Sequence, residues 1–331
     1  MQKIIERHDL KKKIRYTLIF LLSVIIYLFS IHRIGAPIQS GLDESYVIAI
    51  NKYFANLEYA RTQIFFSYGP LGFLVVPLPI GSNIMISTLF WNSFLFFFIL
   101  SSFSIVLLRI NKPNLLIALM QILLCTWIVN ASEIRFIPFL LVSNLLILDK
   151  FVFKDEKYFF ILSALFIGVL GYFIGSYFVA MFGYFFPLFI SSLLKKQWKK
   201  IMIFALFLLL NLFLFRFLIY RDFNIINNLI SILEFSMGNS YSMTIGADTF
   251  SWGLLLLCII PFFLFLLFRK PEVSYYILIS LVPLFLIFKY AFTRIDHLSQ
   301  FFNFFAAVLV NMMILALSKL SEQANTEQTA T

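Results

Sequence analysis

The chain of 331 residues is 61% hydrophobic and 13% charged, and its mean hydropathy is +0.94. A soluble core does not need so much apolar sequence, and apolar runs of about twenty residues recur from end to end. These runs are continuous rather than alternating, which excludes a transmembrane β-barrel. The expected fold class is therefore all-α, a polytopic bundle of transmembrane helices.

The net charge of +10 does not indicate nucleic-acid binding, because the basic residues are dispersed between the apolar runs. The two cysteines, Cys125 and Cys258, lie inside such runs, where a thiol behaves as a small hydrophobic group. We therefore expect membrane lipids as surroundings, no nucleic-acid partner, no disulfide framework and no cysteine metal site.

The N-terminus resembles a secretory signal, since basic residues at 11–13 and 15 precede the apolar stretch 16–31. The stretch is long, however, and no small-residue cleavage pattern ends it, because Pro37 directly follows the small residues at 35–36. We interpret it as a retained first span.

Apolar blocks between charged residues predict about ten spans. The predicted spans are 14–31, 84–108, 115–130, 136–149, 158–174, 177–194, 201–220, 250–268, 273–290 and 301–318. The block 158–194 is too long for one helix and is divided around Gly171 and Gly175. Residues 1–320 thus form the transmembrane domain, and the polar tail 321–331 is expected to be disordered in the cytosol.

Lysine and arginine set the orientation, since 18 of the 26 fall in segments on the same side as the N-terminus. Both termini are therefore placed in the cytosol of a multi-pass cell-membrane protein. The outer loops are 32–83, 221–249 and 291–300, whereas the cytosolic connections are nearly all short and basic. Because long loops in a compact protein usually carry function, the active face is expected to be extracytoplasmic.

An acidic pair, Asp43 and Glu44, precedes a stretch whose apolar residues recur at helical spacing, which predicts a helix in the membrane interface. Asp43 could be an ordinary helix N-cap. Alternatively, the pair could bind a divalent cation, Mg²⁺ or Mn²⁺, or accept a proton from an attacking hydroxyl.

Arg61 and Tyr68 belong to the same loop, and Tyr68 opens a segment rich in glycine, proline and aromatic residues that cannot be a plain spanning helix. This segment is either a structural re-entrant turn or a loop that lines a substrate.

Glu133 and Arg135 occupy the turn between the third and fourth spans and either pair with each other or leave Arg135 to bind a phosphate. A further polar run, Arg294, Asp296 and His297, stands at the outer end of the ninth span, where ionisable groups are costly and are kept for function or pairing.

The second outer loop carries Arg221, Asp222, Glu234 and Asp248, and its residues 225–235 could form another interfacial helix. Their spacing fits no metal motif. Arg216, deeper in the seventh span, is expected to snorkel outward.

Five features of the chain together resemble the GT-C membrane glycosyltransferases. They are the acidic pair early in the first outer loop, the interfacial helix, the segment Tyr68-Gly69-Pro70-Leu71, the turn Glu133-x-Arg135 and the run 292–297. The resemblance implies a donor sugar linked to polyprenyl phosphate and transfer to a lipid or glycan acceptor outside the cell. Asp43 would then be the catalytic acidic residue, assisted by Glu44. The substrate-binding candidates are Arg61, Tyr68, Arg135, Arg294, Asp296 and His297.

Three other functions remain open. A polymerase of lipid-linked glycans would share the outer arginines without requiring Asp43. A transporter or flippase would carry ionisable groups at mid-membrane, whereas here they concentrate at the outer ends. A non-catalytic membrane subunit would pair its polar groups, and a partner subunit could equally supply acceptor recognition to the transferase.

Overall fold

A computed structural model describes residues 2–31, 47–52, 71–109, 137–149 and 196–221, together with isolated positions at 120, 123, 124, 161, 164, 165, 189, 193, 224, 226 and 230. Every regular element in this part of the chain is a helix. The predicted spans 250–268, 273–290 and 301–318 lie outside it, and those at 115–130, 158–174 and 177–194 are described at isolated helical positions only.

The first helix, α1, runs from Gln2 to Ser30 and contains nearly all of the predicted span 14–31. Its 29 residues correspond to about 44 Å, longer than the roughly 30 Å of a hydrocarbon core. The helix begins before the apolar stretch because Lys, Arg, Glu and Leu are all good helix formers. Residues Lys13–Ser30 form the part that is long and apolar enough to cross a membrane.

The second helix, α2, extends from Asn83 to Arg109 and confirms the helix predicted at 84–108. It contacts α1 through Phe96, whose ring meets Phe20 and Tyr27 edge-on at centroid distances of 6.4 and 5.4 Å. Phe98 and Phe103 on α2 are completely buried. Most large apolar side chains of α1 are exposed, so α2 is the central helix of the described part and α1 lies at its edge.

The third helix, α3, comprises Ile137–Ile147 and continues as a π-helical turn at 148–149. It lies within the predicted span 136–149, and its side chains are buried on every side. Its 11 described residues cover about 17 Å, and the residues on either side of 137–149 lie outside the described part, so the predicted crossing stays a prediction. α3 packs along α2, and its described side chains are enclosed by protein.

The fourth helix, α4, runs from Trp198 to Tyr220 and corresponds to the predicted span 201–220. Residues in the left-handed conformation flank it, Lys196 before it and Arg221 after it, each with φ of 55°. The backbone N–H of Arg221 donates to the carbonyl of Phe217 and closes the last turn.

Three helical stretches in the described part are thus long and apolar enough to span a membrane: Lys13–Ser30, Asn83–Leu108 and Trp198–Leu218. Such stretches are typical of a membrane protein.

Candidate functional site

Residues 71–80 form a compact, irregular segment that leads into α2. It contains one 3-10 turn, Gly72–Leu74, followed by further turns, in agreement with the prediction that this stretch is not a plain spanning helix. Most of the segment is buried despite its irregular backbone, and Phe73 and Leu78 are only 2% and 3% exposed. Polar backbone groups in such a place need partners inside the protein.

Asn51, from the short helical stretch 47–52, supplies several of these partners. Its Nδ2 donates to the carbonyl of Val76 at 2.8 Å, and also to Val47 in its own helical turn at 2.8 Å. Its Oδ1 accepts from the backbone N–H of Leu78 at 2.9 Å. The amide is completely buried, so its hydrogen bonds form without competition from water.

Asn83, the first residue of α2, completes the arrangement. Its Nδ2 donates to Oδ1 of Asn51 at 2.9 Å and to the backbone carbonyl of Asn51 at 3.1 Å. The Asn51 side chain therefore makes four hydrogen bonds, two given and two accepted, which is its full capacity. We call these two residues the asparagine pair; it joins residues 47–52, the segment 71–80 and α2 at one point.

A second contact fixes the same segment to α2. The carbonyl of Leu74 accepts from Oγ of Ser87 at 2.6 Å and from the indole N–H of Trp91. Ser87 and Trp91 lie one turn apart on α2, and both are completely buried. Both lone pairs of the Leu74 oxygen thus accept hydrogen bonds. The segment 71–80 is therefore attached to α2 at two heights, through Asn83 at the start of the helix and through Ser87 and Trp91 further along it.

Residues 47–52 are helical, which confirms the predicted helix after the acidic pair over these residues. Ile50, which the apolar pattern directs toward the membrane, is 6% exposed and Asn51 is completely buried, whereas Lys52 is exposed. This stretch is therefore packed on protein through its Ile50 and Asn51 face.

The candidate catalytic and binding residues lie outside the described residues: Asp43, Glu44, Arg61, Tyr68, Arg135, Arg294, Asp296 and His297.

Two further polar contacts join helices. Asn144 on α3 donates to Oγ of Ser102 at 2.8 Å and of Ser101 at 3.2 Å on α2. Asn211 on α4 donates to the carbonyl of Leu165. Hydrogen bonds of this kind hold helices together in lipid, where apolar contact alone discriminates poorly between partners.

Arg216 is 5% exposed, so its side chain lies against protein, and the expectation that it snorkels outward along the helix stays a prediction. Sequence reasoning also missed the asparagine pair. A usable signal existed for the burial of Arg216, because it continues the four-residue spacing of Phe204, Leu208 and Leu212, which are among the buried positions of α4.

Within the described residues, no group of three or more His, Cys, Asp or Glu side chains could hold a metal ion, and the proposed metal ligands Asp43 and Glu44 are not among them. The chain matches no protein-family model, no curated protein and no solved structure. The resemblance to GT-C enzymes therefore stays a prediction from the residues of the outer loops.

Proposed function

We propose that the chain is a GT-C type membrane glycosyltransferase of about ten spans, which moves a sugar from a polyprenyl-phosphate donor to a lipid or glycan acceptor on the extracytoplasmic face. The observation that best supports the proposal is the asparagine pair, which attaches residues 47–52 and 71–80 of the first outer loop to the start of α2. A simple connection between two spans does not need two buried asparagines, whereas a catalytic carboxylate needs a rigid support.

In the proposed reaction, Asp43 accepts the proton of the acceptor hydroxyl while the acceptor oxygen forms a bond to the anomeric carbon of the sugar. The bond between that carbon and the phosphate oxygen breaks, and the electron pair leaves with polyprenyl phosphate. Arg135 and Arg294 would stabilise this leaving group through charge-assisted hydrogen bonds to its oxygens. Glu44 would help to hold the acceptor.

The charge distribution of the described spans favours a transferase over a transporter. In the three stretches long enough to cross a membrane, Lys and Arg occur near the ends: Lys13, Arg15, Lys199, Lys200 and Arg216. Transport of a charged substrate usually requires ionisable groups near the bilayer centre. A flippase for a lipid-linked substrate is the alternative that the experiment below addresses.

The test is sugar transfer from a panel of polyprenyl-phosphate donors by the purified full chain in lipid vesicles, with Asp43→Asn and, as a matched control, Asp222→Asn. Asp222 is also an acidic residue of an outer loop but has no proposed role. We expect transfer by the native chain and by Asp222→Asn, and a loss of at least about a hundredfold in Asp43→Asn, as for removal of a general base. Movement of the donor between leaflets without transfer would instead support a flippase.

A further inference from the structure

Lysines cluster where α4 begins. Four of the six residues at 195–200 are lysines, and Trp198 lies among them as the first residue of the helix. Lys196 and Lys199 are exposed, and Trp198 is 52% exposed. Within the described part of the chain no ion pair neutralises either of these two lysines. We call Lys196, Trp198 and Lys199 the lysine patch; it presents positive charge beside an accessible aromatic ring.

The lysine patch continues into the open face of α4. Phe204 and Leu208 are buried against protein, whereas Met202 and Leu206 are exposed. Lys199, Met202 and Leu206 follow each other at intervals of three and four residues, so they lie on one face of the helix. In a helix that crosses a membrane, an open apolar face of this kind meets the acyl chains of lipids. Lys199 is therefore the charged end of a lipid-facing stripe.

The depth of the lysine patch follows from the span that it begins. Residues Trp198–Leu218 are apolar and long enough to cross a membrane, which puts Trp198 at one interface. Tryptophan suits that position, because its ring meets apolar chains while its N–H reaches the polar layer. A lysine within one turn can extend its ammonium group to the same layer. The two ammonium groups are thus placed at the depth of lipid headgroups.

The turn before α4 fixes one of the two charges. Lys196 has a φ of 55°, in the left-handed region that glycine adopts at no steric cost, and its backbone N–H donates to the carbonyl of Leu193 at 3.1 Å. A lysine here adds a charge at a position where the backbone favours glycine or asparagine. Lys196→Asn therefore removes the charge and keeps the turn.

We propose that the lysine patch binds the headgroups of anionic phospholipids in the surrounding leaflet. A lipid whose acyl chains lie along Met202 and Leu206 brings its phosphate to Lys199, and its net charge distinguishes it from a zwitterionic lipid. The positive-inside rule places this end of α4 in the cytosol, where the leaflet carries a negative surface potential. A soluble acidic partner would not need the adjoining apolar stripe. The inference does not rest on the proposed glycosyltransferase, whose candidate residues are placed on the opposite face.

The experiment measures which lipid contacts this face of α4. In a background without Cys125 and Cys258, Met202→Cys carries a fluorophore, and the full chain is reconstituted in vesicles of phosphatidylcholine. Quenching by spin-labelled phosphatidylglycerol and by spin-labelled phosphatidylcholine gives their relative association constant. At about fivefold for each lysine, we expect a preference of about 25-fold for phosphatidylglycerol. Lys199→Gln should lower it to about fivefold, and Lys196→Asn together with Lys199→Gln should abolish it.

Two variants serve as controls. Lys199→Arg keeps the charge and should leave the preference within about twofold of the native value. Lys52→Gln removes an exposed lysine from the first outer loop and should also leave it unchanged. Because all of the substituted lysines are exposed, the variants are expected to fold, and unchanged quenching by phosphatidylcholine verifies this.

Three results would overturn the assignment. The first is equal association of the two lipids with the native chain. The second is an undiminished preference in the variant that lacks both lysines. The third is displacement of spin-labelled phosphatidylglycerol by soluble glycerol phosphate as readily as by unlabelled phosphatidylglycerol, which would identify a site for soluble anions instead of a lipid surface.

Discussion

Replacing Asn51 by alanine tests the asparagine pair directly. The substitution removes the bonds from Nδ2 to the Val76 carbonyl and from the Leu78 N–H to Oδ1. It also removes one of the two bonds made by the Asn83 side chain, whose contact with the Asn51 backbone carbonyl is retained. Two groups in the segment 71–80 thus lose the partner that Asn51 provides.

A buried polar group without a partner costs about 1–3 kcal/mol, so two such groups cost about 2–6 kcal/mol. Because Val76 is only half-buried and can recover some hydration, we expect a loss of about 3 kcal/mol in the free energy of unfolding. Released from α2, the helical stretch 47–52 would also no longer fix the acidic residues tethered to it. Sugar transfer should fall with stability, although no proposed catalytic group is removed.

The assay is equilibrium unfolding in mixed micelles, followed by tryptophan fluorescence, since Trp91 is completely buried beside the segment. Ser93→Ala is the control. Its hydroxyl is exposed and donates to Leu89 within α2 at 2.7 Å, so its loss should change the free energy of unfolding by less than about 0.5 kcal/mol. An Asn51→Ala protein as stable as the Ser93→Ala control would refute the structural role of the asparagine pair.

Two further predictions concern the bundle. Asn144→Ala removes the hydrogen bonds to Ser101 and Ser102. Since each such bond contributes about 0.6 kcal/mol in a membrane, the free energy of unfolding should fall by about 1 kcal/mol. An unchanged value would show that these bonds do not stabilise the packing of α3 on α2. In a background without native cysteines, a membrane-impermeant maleimide should label Asn224→Cys in intact cells but Lys196→Cys only after permeabilisation. Labelling of both from one side would contradict the crossing of α4, and the reverse pattern would contradict its orientation.

Hydropathy predicted the long helices well because a span must be continuously apolar. The predicted boundaries 84–108 differ from Asn83–Arg109 by one residue at each end. At α1 the same reasoning predicted the span and missed where the helix begins, because helix propensity continues through basic residues that hydropathy excludes. At α3 the described helix Ile137–Ile147 lies within the predicted span 136–149, and its crossing stays a prediction, since a buried internal helix and a membrane span have the same apolar composition.

The asparagine pair could not be predicted from sequence pattern. Asn51 and Asn83 are separated by 32 residues, and neither helical periodicity nor turn chemistry links positions so far apart. The glycine and proline content did predict that residues 71–80 depart from a regular helix, since it is a local property. Which groups would satisfy the resulting free carbonyls depended on the tertiary fold.

The most direct test of the proposed function is the stoichiometry of the reaction itself. Mass spectrometry of vesicles that contain the protein, a polyprenyl-phosphate sugar and an acceptor measures glycosylated acceptor and free polyprenyl phosphate together. We expect one polyprenyl phosphate to be released for each sugar transferred by the native chain, and neither product from a folded Asp43→Asn protein. Equal amounts of both products from the native and Asp43→Asn proteins would contradict the assignment of Asp43, and an intact donor with every acceptor tested would contradict the glycosyltransferase.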